Sequence, residues 1–329
     1  MNIQANSSAQ IIQFSKPITL RILVSYYYLQ SGKSLLNRLK RLKEELGENL
    51  TILLDSGAFS AYSLKKEISI SSYKSFLKEH KELFWRCFTL DVVGDQERTW
   101  NNFFELKDAG FDVIPIYTRK SNFDELEKCY EYSDYVGIGG IFSFEGSNFL
   151  HTYLKPLTEK LQGRKCHWLG VTNINHVIKY RPYSVDSSNF AGAQRWGGIT
   201  FLQNFVTASS VHKGMGKGSQ KNEDSASFLS LQKLSKPEYL SDFTLRLYSA
   251  TESKGVDPAK LFDHESWRTQ HAFSSKITIR SHLEQGLLVE WILGTKVFHA
   301  LTGSRFIDDS LQALQQIHDF ENHYLERNL

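Results

Sequence analysis

Three aspartates stand at the ends of short apolar runs: Asp55 in "TILLDSGAFS", Asp91 in "CFTLDVVGD" and Asp186 in "YSVDSSNF". Asp95 follows Asp91 by one turn. Small residues flank these acids, as in "DSGA" and "DSSN", and glycine pairs or singles end two further runs, at Gly139 with Gly140 in "YVGIGGI" and at Gly170 in "HWLGV". Paired carboxylates suit chemistry at an anomeric carbon. One acts as nucleophile or ion-pair partner to an oxocarbenium-like centre while the other moves protons. Small neighbours open room for a ligand and bare backbone N–H donors. Each residue also has a simpler use, because an Asp after a strand commonly caps the next helix or makes an Asx turn, and glycines serve close packing. The set carries the argument, not any one member. Other chemistries lack their patterns: there is no nucleophile-elbow spacing, and "GIGG" is not a complete dinucleotide fingerprint. "HKGMGKG" (212–218) has the content of a phosphate loop without its spacing or a suitable preceding strand.

Such acids converge only if a scaffold brings them together. The apolar runs lie at 18–28, 51–55, 87–93, 111–117, 135–141, 166–171, 183–188 and 197–201. Between them fall stretches with helical spacing of leucine and aromatic residues: 34–46, 69–83, 97–110 and 122–132, the last opening on Asn122, a good cap. Eight strand candidates alternating with helices predict a parallel sheet, and eight repeats predict a (β/α)8 TIM barrel. In that fold the carboxyl ends of the strands line one face, where Asp55, Asp91, Gly139, Gly140, Gly170 and Asp186 would meet. The second half differs in character. Residues 212–227 are polar and rich in Gly and Lys, and the remainder reads as helices at about 226–234, 237–253, 258–271, 280–301 and 306–325. The expected organisation is a barrel over 1–205 and a loop with a helical region packed on it over 206–329.

Composition sets the class. Of 329 residues, 41% are hydrophobic and 23% charged, which fits a soluble globular protein with a sizeable core. A net charge of +3 neither announces nor opposes a polyanionic partner. Cys87, Cys129 and Cys166 are far apart and form no CxxC, so a reducing, cytoplasmic compartment is expected, without disulfides or a cysteine-rich metal site. The N-terminal "MNIQANSSAQ" lacks the features of a secretion signal, and no run of about 18 apolar residues suggests a membrane span.

These residues resemble those of the tRNA-guanine transglycosylases. "LLDSGAFSAYS" is similar to the family's "DSGGFQ" segment, "LDVVGD" to its base-recognition Asp segment, and "YVGIGGI" to its Gly-Gly-Leu segment. "HWLGVTNINHVIKYRPYSVDSSNF" is similar to its "LMGVGTPEDL…GVDMFDCV" run in order and spacing. The resemblance covers about residues 20–200. It implies a barrel pentosyltransferase that exchanges guanine for a free 7-deazaguanine base at one C1′. Asp186 would be the nucleophile forming a covalent intermediate and Asp55 the general acid/base. Asp91 would bind the polar edge of the base, and Gly139, Gly140 and Ile141 its carbonyl through backbone N–H groups. Ser56, with Gly57 and Ala58, would keep the base site open, and Phe59 or Tyr26 would stack on the ring.

The departures from the family matter as well. Its zinc site of three cysteines and a histidine has no counterpart, since residues 167–329 contain no Cys; no metal or other cofactor is expected. The nucleophile segment reads "VDSSNFAGAQRWGG", without the family's following Cys and "PTR" motif. Both point toward the shorter DpdA-type relatives of bacteria and phages, which place preQ0-like bases in DNA, with tRNA as the alternative polymer. Arg195, Lys213, Lys217 and Lys221 would then contact phosphates, and a duplex guanine would have to leave the stack, with Trp196 or Tyr27 filling the gap. "RLKRLK" (38–43) reads instead as a solvated helix face. A helper ATPase and a homo-oligomer are compatible partners; a membrane is not. Two other classes stay open: a barrel glycosidase using the same carboxylates on an O-glycoside, and a non-catalytic accessory subunit.

Overall fold

The structure is a computed structural model that describes residues 18–118, 122–141, 150–171, 174–187, 198–200 and 228–230, together with 279, 282–283, 286–287, 289–290, 293–301, 303 and 306–314. Eight strands form a parallel (β/α)8 barrel: β1 Leu20–Ser25, β2 Leu50–Asp55, β3 Arg86–Phe88, β4 Val113–Ile114 continued by Ile116–Thr118, β5 Tyr135–Gly139, β6 Lys165–Trp168, β7 Ser184–Ser187 and β8 Lys296–Leu301. Pro115 divides β4, because proline has no N–H to give to a ladder. The half before it pairs with β3 and the half after it with β5. The Pro115 carbonyl still accepts from Gly137 N–H at 2.9 Å. The other neighbours follow in chain order, and β8 pairs with both β7 and β1, so the ring closes.

The eighth strand is not the expected one. Residues 198–200 pair antiparallel with 228–230 in a separate two-stranded sheet. The true β8 lies inside the stretch expected as a helix over 280–301. Residues 282–283, 286–287, 289–290 and 293 are helical, Gly294 follows at φ +73°, and "KVFHAL" then runs extended. The barrel therefore reaches past residue 205. Two compact units result: 13–188 with 286–308, which holds the barrel, and 1–12 with 189–285 and 309–329.

Local sequence explains the flanking helices. In Lys33–Leu46 the buried residues are Leu35, Leu39 and Leu42, at spacings of four and three; of the "RLKRLK" cations Lys40 and Arg41 lie exposed, whereas Arg38 pairs with Glu45 and Asp308 and Lys43 donates to the Gly47 and Leu50 carbonyls. Asp95 and Asn122 cap Gln96–Asp108 and Phe123–Tyr132 by accepting from Arg98 N–H at 2.9 Å and Glu125 N–H at 3.1 Å. Inside the barrel, Leu23, Leu53, Phe88, Ile114, Ile116, Tyr135 and Phe298 form one buried cluster. Two glycines make this packing possible. A Cβ on Gly137 would come within 2.8 Å of the Phe88 ring, and one on Gly57, at φ +80°, within 2.3 Å of Ser25 Oγ and 2.4 Å of Tyr27 Cβ. At the other end of β1, Arg21 makes a bidentate ion pair with Glu290, tying the strand to the helix before β8. Among the described residues no helix is long and apolar enough to cross a membrane.

Candidate active site

Strand register puts the acids at the carboxyl ends of the barrel strands. Leu23 pairs with Leu53, and both belong to the interior cluster. Alternation along a strand then turns Ser25 and Asp55, two residues on and also paired, toward the same interior at the carboxyl ends. Asp186 sits one residue from the end of β7, 7% exposed. Asp91 follows β3 by three residues on a loop held by Asn102, whose side chain donates to Leu90 O at 2.8 Å, and by Thr99, whose Oγ1 accepts from Val92 N–H at 2.9 Å.

The three carboxyls share one field. Burial pushes Asp55 from 3.8 up to about 7, helped by the charges of Asp91 and then Asp186, while the N–H groups of Gly57 and Ser56 oppose the shift. The Gly57 N–H lies 2.9 Å from Asp55 Oδ2. Burial also raises Asp91, and the Ser56 hydroxyl, donating at 3.0 Å, partly offsets this. A carboxyl held near 7 can both give and take a proton at neutral pH.

Asp186 is held differently. Gly170 N–H donates to its Oδ1 at 2.8 Å, and His167 Nε2 lies 3.2 Å from the same oxygen. His167 is fully buried between the rings of Phe88 and Phe298. Its Nδ1 lies 2.8 Å from Ser184 Oγ and 3.2 Å from Tyr135 OH, and these two hydroxyls are 2.5 Å apart. Sequence reasoning missed this group. Its signal was an inward polar residue on a buried strand: in "KCHW", Cys166 and Trp168 pack outward and His167 faces in.

The remaining expected residues separate. Ser56 is buried against Asp91, and Gly139 and Ile141 are buried at the end of β5, whereas Gly140 is exposed at φ +73°. A Cβ on Gly139 would meet nothing nearer than 3.6 Å, so its bareness is not needed for packing. Gly57, by contrast, makes room for Ser25 and Tyr27 and not for a ligand. Tyr26 is core, its ring 5.0 Å from those of both Tyr73 and Phe76. Phe59 does not close a buried space: it is 75% exposed, beside Tyr62 at 63% on the helix Ala58–Ser63. Tyr62, but not Phe59, borders a cavity of about 610 Å³ beside Asp91, which Ala58, Leu90, Val93, Arg98 and Asn102 also line. Asp95 is a helix cap. Arg195, Trp196, Lys213, Lys217 and Lys221 lie outside the described residues.

Ser25 Oγ is a further buried polar atom at the strand ends and has no hydrogen-bond partner. Among the described residues no trio of His, Cys, Asp and Glu is arranged to hold a metal ion. The three cysteines are free and buried, and burial pushes each thiol up to about 12, so none is poised as a nucleophile. No family model, curated protein or solved structure matches the chain.

Proposed function

We propose that the protein is a base-exchange transglycosylase that replaces guanine in a nucleic acid, DNA in preference to tRNA, with a 7-deazaguanine. The observation that carries this reading is the convergence of Asp55, Asp91 and Asp186 on the carboxyl face of one barrel, with Asp55 held near 7 beside two other acids. In the first half-reaction an Asp186 carboxylate oxygen attacks C1′ of the target nucleotide. The C1′–N9 bond breaks, its electron pair goes to the departing guanine, and Asp55 delivers the proton that neutralises it. The incoming base reverses these steps: Asp55 takes its N9 proton, N9 attacks C1′, and Asp186 leaves as a carboxylate. Asp91, aligned by Ser56, faces the cavity and would accept from N–H donors on the polar edge of the base. The backbone of Gly139 to Ile141 supplies donors for its carbonyl. Phe59 and Tyr62 present open rings on which an unstacked neighbouring base could lie.

The test is exchange of labelled guanine into duplex DNA, single-stranded DNA and tRNA by the wild type and by Asp186→Ala. Label in DNA, absent with the variant, is the expected result. Label only in tRNA would change the polymer. Cleavage of a nucleic-acid-free O-glycoside in place of exchange would make the protein a glycosidase.

A further inference from the structure

We propose that His167 is a positioning residue for Asp186, donating a hydrogen bond from Nε2–H to Oδ1 so that Oδ2 is left as the attacking atom. This rests on the reading of Asp186 as the nucleophile. Partner chemistry fixes the direction of the bond to Asp186. Asp186 as a carboxylate only accepts, so His167 must present a donor to it, and Nε2 is the atom that faces it. A neutral imidazole with Nε2 protonated then has a lone pair at Nδ1. Two hydroxyls surround that lone pair, Ser184 Oγ at 2.8 Å and Tyr135 OH at 3.2 Å. With Tyr135 donating to Ser184 and Ser184 donating to Nδ1, every proton in the chain is used once. The opposite tautomer would set two lone pairs against each other at 3.2 Å.

The consequence falls on one oxygen. His167 Nε2 and Gly170 N–H both meet Oδ1, and among the described residues Oδ2 has no donor. Two donors at one oxygen hold the carboxylate's orientation about its Cβ–Cγ bond and leave the other oxygen open to attack. The group is buried beneath Asp186 among Phe88, Phe298 and Tyr135, so it acts through the nucleophile and not on the substrate.

Two measurements on the full chain test this. In protein labelled with ¹⁵N-histidine, the His167 ring, assigned by its loss in His167→Gln, should show a protonated Nε2 and an unprotonated Nδ1. An unprotonated Nε2 overturns the proposal whether or not the protein exchanges bases. In the exchange assay, His167→Phe should lower kcat by about 10- to 100-fold with KM unchanged, the range for one hydrogen bond to a charged group. His167→Gln, whose amide N–H reaches the same oxygen, should recover most of that loss. Equal losses in both variants, or a change in KM alone, would show a packing role and overturn the assignment. Absence of exchange in the wild type would count against the proposed function, leaving the tautomer to decide the proton's place.

Discussion

Asp55 couples activity to stability in a way that can be measured. Its carboxyl is raised from 3.8 to about 7, first by burial and then by Asp91 and Asp186. A carboxyl raised in the folded state binds its proton more tightly there than in the unfolded chain. The stability this gives is fully present below about pH 4 and is lost as pH rises to about 7. A shift of about three units corresponds to about 4 kcal/mol by pH 8 at roughly 1.4 kcal/mol per unit. Asp55→Asn removes the ionisation, and its amide oxygen can still accept from Gly57 N–H. Urea unfolding of both proteins at pH 4 and pH 8 should give near-equal stability at the lower pH. At the higher pH the variant should be more stable by up to about 4 kcal/mol, while exchange activity is lost with the proton carrier. A stability difference that does not change with pH, or an amide variant weaker at pH 8, would refute the account of a strained acid.

Two further outcomes follow from packing. Gly57→Ala forces a Cβ into Ser25 and Tyr27 at φ +80° and should cost about 2–4 kcal/mol, read as a lowered Tm, through strain and overpacking together. Phe59→Ala removes a ring that is 75% exposed, so Tm should stay within the error of the wild type while affinity for single-stranded DNA falls by about 1–3 kcal/mol, the worth of one stacked base.

The barrel was legible because buried parallel strands leave short Val/Ile/Leu-rich runs between amphipathic helices. Seven of the eight strands lie where that pattern put them. The eighth did not, and the reason is specific. The apolar residues of 282–303 keep helical spacing across Gly294, so a helix end and a following strand read as one element. Gly294, then β-branched Thr295 and Val297, was the available sign. The run 197–201 was mistaken for the closing strand because a short apolar run does not state its partner, and that partner, 228–230, is a strand where a helix over 226–234 was expected. At the site, the acids were visible as charges where strands end. The His167, Ser184 and Tyr135 chain was not, since its members come from three strands and meet only after the barrel closes. Phe59 was expected to stack in the base site because an aromatic follows small residues there, but it lies exposed on the helix Ala58–Ser63.

The position of β8 governs when the molecule can exist at all. Until residue 301 is made, β1 and β7 are two bare sheet edges with residues 188–295 still to come between them and their shared partner. At about 5–20 residues per second, synthesis leaves those edges open for roughly 5–20 s after β7 appears. The final strand must then enter a gap between the first and the seventh, a contact spanning nearly the whole chain, and such late, long-range pairing is slow. A nascent chain stopped short of Lys296 is therefore a seven-stranded open sheet with edges suited to pairing with its own copies.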